Sequence, residues 1–76
     1  MVHAFIMAKA TTGGAEALSE TLGGIEHVTD VNVVAGDVDF IVEADAEEMY
    51  DIINSVATEI RGLEAIEDTT TYVCLE

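Results

Sequence analysis

The chain has 76 residues, half of them hydrophobic, and a formal charge of −14 set by sixteen acidic side chains against Lys9 and Arg61. That balance excludes direct binding to a nucleic-acid backbone or an anionic membrane surface, both of which are held through clustered Lys and Arg. With one cysteine, Cys74, and no Cys/His set at zinc-site spacing, neither a disulfide nor a structural metal braces so small a core, and stability must come from packing and association.

A mean hydropathy of +0.35 is high for so acidic a chain and points to apolar surface hidden against a partner. The acidic residues are spread along the sequence, and lysine is nearly absent. This is the balance of a protein working in a halophilic cytoplasm, where salt screens self-repulsion. No apolar run reaches the length of a membrane helix and the N-terminus has no signal-peptide pattern, so the expectation is one cytoplasmic domain over residues 1–76.

In chain order, Val2 to Ala8 reads as a strand apolar on both faces, with Val2, Ala4, Ile6 and Ala8 on one and His3, Phe5, Met7 and Lys9 on the other. Thr11-Thr12-Gly13-Gly14 breaks it, a threonine capping a short helix from about Ala15 to Leu22. Ala15, Leu18 and Leu22 form its apolar stripe, and Gly23-Gly24 ends it. Val28 to Val34 is the second strand. A tight hairpin through Gly36-Asp37 leads into a third, Val38 to Glu43, with Val38, Phe40 and Val42 on one face and Asp39, Ile41 and Glu43 on the other.

Asp45 and Glu48 stand at capping-box spacing before a helix whose core stripe is Met49, Ile52, Ile53, Val56 and Ile60, closed by Arg61-Gly62. The segment from about Glu67 to Leu75 alternates as a fourth strand. The order βαββαβ predicts an α+β, ferredoxin-like sandwich with two helices on one face of a four-stranded antiparallel sheet. The other face lacks the clean polar alternation of a solvated sheet, which points to dimerisation through it.

Asp37 and Asp39 place carboxylates beside the backbone donors of a glycine turn, a pairing suited to an α-ammonium and an α-carboxylate. On the residues alone the plainer reading, Asp37 satisfying the turn and Asp39 facing solvent, is the stronger. Thr69, Thr70 and Thr71 offer hydroxyls but also suit a strand. His3, His27 and Cys74 form no recognised catalytic spacing, Asp37-x-Asp39 is too short for a calcium loop, and no cofactor or metal is expected.

The βαββαβ order, Ala35-Gly36-Asp37-Val38-Asp39, Gly62-Leu63 and Asp68-Thr69-Thr70-Thr71-Tyr72-Val73 together resemble the effector-binding (RAM) domain of Lrp/AsnC transcriptional regulators, over essentially the whole chain. The resemblance implies a stand-alone RAM protein of halophilic archaeal type, without the usual helix-turn-helix DNA-binding domain. It further implies a non-enzymatic module whose dimers assemble into rings and bind an amino acid or related small metabolite between them. Gly36, Asp37, Val38 and Asp39 map onto the turn at that pocket, and Thr71 and Tyr72 onto its last-strand contributors. Any effect on transcription would pass through partners, such as full-length Lrp/AsnC regulators. A rival reading is a small dimeric α+β-barrel enzyme, such as a cofactor-free monooxygenase, although no Trp and only two Tyr and two His are present to line its cavity. A third, oligomerisation without ligand, leaves Asp37 and Asp39 idle.

The charge balance makes a prediction. Far-UV circular dichroism is expected to show the protein loosening as ionic strength falls to about 0.1 M, where the Debye length grows to ~10 Å. An unchanged melting temperature down to that ionic strength would remove the halophile reading.

Overall fold

Strand β1 (Val2–Ala10) runs through the middle of the sheet, and its residues suit burial on both sides. Ala4, Ile6 and Ala8 are buried beneath the helices, and His3, Phe5 and Met7 are partly buried on the opposite face. β1 pairs antiparallel with β3 (Phe40–Ala46) and with β4 (Ile66–Val73), while β2 (Val28–Val33) pairs antiparallel with β3, giving the order β2-β3-β1-β4. Helix α1 (Ala15–Gly23) follows β1. The second helix, called α2 throughout, follows β3 in three contiguous pieces: α-helical Met49–Asp51, π-helical Ile52–Ala57 and α-helical Thr58–Arg61. This is the expected ferredoxin-like α+β sandwich. The structure is a computed structural model that describes residues 1–11 and 15–75. The expected break and helix cap at residues 12–14, and the side chain of Ala15, lie outside the described residues.

One core holds the layers together. Leu18 and Leu22 from α1 and Ile52, Val56 and Ile60 from α2 pack on Ala4, Ile6, Ala8, Phe40, Val42, Ala44 and Ala46 of the two central strands. The alanines let the helices approach the sheet closely, and Phe40, Ile6 and Leu22 fill the space between.

Four local expectations are corrected. β2 ends at Val33 and β3 begins at Phe40, so the connection is a loop over 34–39 and not a tight two-residue turn, and Val38 and Asp39 precede the strand. The Val34 N–H donates to the Asp39 carbonyl at 2.9 Å to close the loop, while the Asp39 N–H donates across to the Ala8 carbonyl at 3.0 Å. Second, Asp45 does not cap α2. The β1–β3 ladder continues to Val2 opposite Ala46, which keeps Asp45 in β3, and the cap position falls to Glu48 without a side-chain bond. Third, the core stripe of α2 is Ile52, Val56, Ala57 and Ile60, leaving Met49 43% and Ile53 45% exposed. The wider π turns bring Ala57 inward and rotate Ile53 out, with the Thr58 hydroxyl donating five residues back to the Ile53 carbonyl at 3.2 Å. The last strand begins at Ile66 and ends at Val73, slightly earlier than expected.

These placements predict unequal costs of truncation. Phe40→Ala is expected to lose about 3–5 kcal/mol of stability as a large buried side chain. Ile53→Ala, turned outward, is expected to lose less than about 1 kcal/mol. Urea denaturation of both variants checks the assignment. Equal losses would place Ile53 in the core after all.

Candidate functional site

The loop after β2 is fixed to one end of the sheet by the Asp39 side chain as well as by its backbone. Between Lys9 and Ala10 the β1–β4 register shifts, with Lys9 opposite Asp68 and Ala10 opposite Ile66. The Ala10 N–H donates to Asp39 Oδ2 at 2.8 Å. One oxygen of this candidate effector ligand is therefore engaged in holding the fold. Asp37 and Gly36 are exposed, and Val38 and Asp39 are partly buried. A Cβ at Gly36 would meet no atom within 4 Å, and its φ lies outside the left-handed region. Neither packing nor backbone conformation requires glycine there.

Across β1, the same end of the sheet carries a row formed by Phe40, Ala8 and Thr69. Beside Thr69 lies an open cleft of about 170 Å³ lined by Arg61, Ile66, Glu67, Asp68 and Thr69. Lys9 stands in register with Asp68. Both strong cations of the chain thus sit at the end of the sheet that carries the loop, facing carboxylates of β4. Arg61 and Lys9 are not among the site candidates of the sequence, where nothing ties them to one another or to the loop. A roomier cleft of about 330 Å³ between the α1–β2 turn and α2 is lined by Ile25, Glu26, Asn54, Ser55, Thr58 and Glu59. It offers two carboxylates but no cation to receive one, so it matches a zwitterion less well.

The two last-strand candidates part company. Thr71 pairs with Ile6 and shares the helix-covered face, whereas Tyr72 pairs with Phe5 and stands 56% exposed on the open face. The structure brings Asp37, Val38, Asp39 and Gly36 together in one loop, but does not bring Thr71 and Tyr72 to that loop within one subunit. Among the described residues no group of three His, Cys, Asp or Glu side chains is disposed to hold a metal ion, and no helix is long and apolar enough to cross a membrane.

The open face has its own organisation. Its middle rows place Asp30, Glu43, Phe5 and Tyr72 side by side, then Asn32, Ile41, Met7 and Thr70. At one end His3 pairs with Asp45. The imidazole Nδ1 bonds Asp45 Oδ1, Nε2 lies 3.3 Å from Glu43 Oε1, and the ring meets Phe5 edge-on at 4.9 Å. The bond to Asp45, helped by the charge of both carboxylates, raises the His3 pKa above the ordinary imidazole value against a smaller opposing effect of desolvation.

A model of the Lrp/AsnC ligand-binding domain matches residues 3–76. The chain belongs to that family. It is accordingly a regulatory ligand-binding domain and not an enzyme, which overturns the monooxygenase alternative. A hypothetical protein of Pyrococcus horikoshii is similar over 100% of this chain and 92% of its own, at 28% identity and a TM-score of 0.89. A Neisseria meningitidis transcriptional regulator solved in complex with L-Met matches at a TM-score of 0.83 and 16% identity, over 99% of this chain and 50% of its own. AsnC of E. coli matches at 0.75 and 18% identity, over 99% of this chain and 51% of its own. The Lrp/AsnC-type domain here therefore spans about half the length of those two regulators. No curated protein matches the chain.

The Asp39 geometry predicts a stability role separable from any ligand. Asp39→Ala leaves the Ala10 N–H without its acceptor and is expected to cost about 1–3 kcal/mol. Asp39→Asn keeps an acceptor oxygen and is expected to cost less. Thermal denaturation without added ligand compares them, and equal stability of Asp39→Ala and the parent would show that the bond holds nothing.

Proposed function

We propose that this domain binds a free amino acid or closely related metabolite at the loop end of the sheet, between subunits of a dimer or larger ring. It acts on transcription through a partner, such as a full-length Lrp/AsnC regulator, in a salt-rich cytoplasm. The observation that carries this reading is the convergence of both signs at one end of the sheet. Asp37 and Asp39 in the loop can receive an ammonium, and Arg61 in the neighbouring cleft can receive a carboxylate. A glycine required by neither packing nor φ fits a place where ligand approaches backbone. The L-Met complex of the Neisseria regulator agrees with an amino acid as the class of effector.

The division of Thr71 and Tyr72 between two faces supports a pocket shared by subunits, since a ligand touching the loop and Tyr72 must take them from different chains. The open face supports a dimer, with Phe5, Met7, Ile41 and Tyr72 forming an apolar centre among polar and charged neighbours.

The test is a thermal-shift screen of the standard amino acids in molar salt, followed by calorimetric titration. Asp39→Asn, Asp37→Ala and Arg61→Gln are each expected to weaken binding about tenfold to a hundredfold, the worth of a charge-assisted contact. Glu47→Ala, beyond the opposite end of β3, is expected to change affinity little. Parent-like affinity in all three site variants would move the effector site elsewhere.

A further inference from the structure

The open sheet face carries a group that a purely apolar docking surface has no use for. Glu43 stands in the central row, between Asp30 and Phe5, and becomes desolvated if this face is covered by a second sheet. A buried carboxylate without a partner is strongly disfavoured. The cation within reach is His3, whose ring lies between Glu43 and Asp45 and braces edge-on against Phe5. Its other neighbours on this face are Tyr72 on β4 and Cys74 just after it, with His27 beside Asp45, whose N–H its carbonyl accepts at 2.9 Å, and Lys9 at the far end of its own strand opposite Asp68. The helices lie on the other face.

We propose that His3, Glu43 and Asp45 form a proton-operated lock on the sheet-to-sheet dimer, in which the two subunits pair with His3 as imidazolium and loosen when it loses its proton. The inference rests on the dimer reading given above and adds its regulation. With His3 charged, the three side chains carry one net negative charge per subunit. With His3 neutral they carry two, and two-fold pairing brings two such sets to one interface. The ring can donate hydrogen bonds to both carboxylates only when both nitrogens are protonated.

The sign follows from the charges: covering this face desolvates Glu43 and Asp45 and favours the protonated ring between them, so pairing raises the His3 pKa above its value in the separate subunit, which the same two carboxylates already hold above the ordinary imidazole value. The favourable contribution is full below the separate subunit's value and is lost as pH rises through the dimer's. Dimer affinity therefore falls toward alkaline pH. Each pKa unit by which pairing raises a histidine is worth about a tenfold change in equilibrium constant, and the dimer contains two such groups.

Sedimentation equilibrium of the intact chain from about pH 6 to pH 9, within the range where histidine titrates, at one fixed salt concentration, decides the matter. The dimer Kd is expected to rise at least about tenfold over that range. His3→Gln is expected to be weaker at the acid end and flat with pH. Glu43→Gln with Asp45→Asn is expected to be flat and tight. If dissociation is too weak to follow, subunit exchange between differently labelled dimers is read against pH in the same way. A flat parent, or a His3→Gln variant as pH-dependent as the parent, overturns the lock while leaving the dimer in place. A parent monomeric at every pH overturns the dimer reading and the lock together.

Discussion

The antiparallel pairing of β1 with β3 runs unbroken from Val2 opposite Ala46 to Ala8 opposite Phe40, and most of what this molecule can do is placed by it. Alternation along those two strands sends Ala4, Ile6, Ala8, Phe40, Val42 and Ala44 beneath the helices and His3, Phe5, Met7, Ile41, Glu43 and Asp45 to the opposite side. A slip of one residue would exchange the two sets, burying charges in the core. Register is thus fixed by the cost of burying carboxylates as much as by the gain from burying Phe40.

The same ladder explains why the acidic surface is not uniform. Most carboxylates of the helices and turns are exposed and free to interact with solvent, but Glu43 and Asp45 are held side by side on a sheet and share one imidazole. Their proximity is tolerable because His3 stands between them. At the opposite end of β1 the bonds are to backbone: Asp39 takes the Ala10 N–H, which lies beyond the last pair of the β1–β3 ladder, Ala8 opposite Phe40. One strand therefore ends in two polar arrangements, one of side chains on the open face and one that fastens a loop.

The architecture was legible in the sequence because its periodicities are long. The alternation of Val2 to Ala8, the apolar positions of α1 and the βαββαβ order each depend on several residues agreeing. What was not legible depends on single bonds between distant positions. Asp45 has the spacing of a helix cap, but cross-strand pairing with His3 claims it, and no local pattern records a partner 42 residues away. The outward turn of Ile53 comes from the π stretch, which the apolar spacing does not announce. At the candidate site, Gly36 to Asp39 were visible as a motif, whereas only the folded packing puts Arg61, at the end of α2, in a cleft with Asp68 and sets Asp68 opposite Lys9. Thr71 and Tyr72 were legible as a pair in sequence and are separated in space by the two-residue period of the strand.

Both outer strands carry an extra residue: Glu67 in β4, between the partners of Lys9 and Ala10, and Thr29 in β2, between the partners of Glu43 and Ala44. An outer strand offers its free backbone groups to any passing strand, and proteins commonly discourage that with charge or with a bulge that bends the edge. Charge is a poor guard where ions are concentrated, because repulsion between chains is screened within a few ångströms. A bend in the backbone is not screened. Growth of this sheet into a continuous stack of chains is therefore opposed by shape at both margins, at any salt concentration.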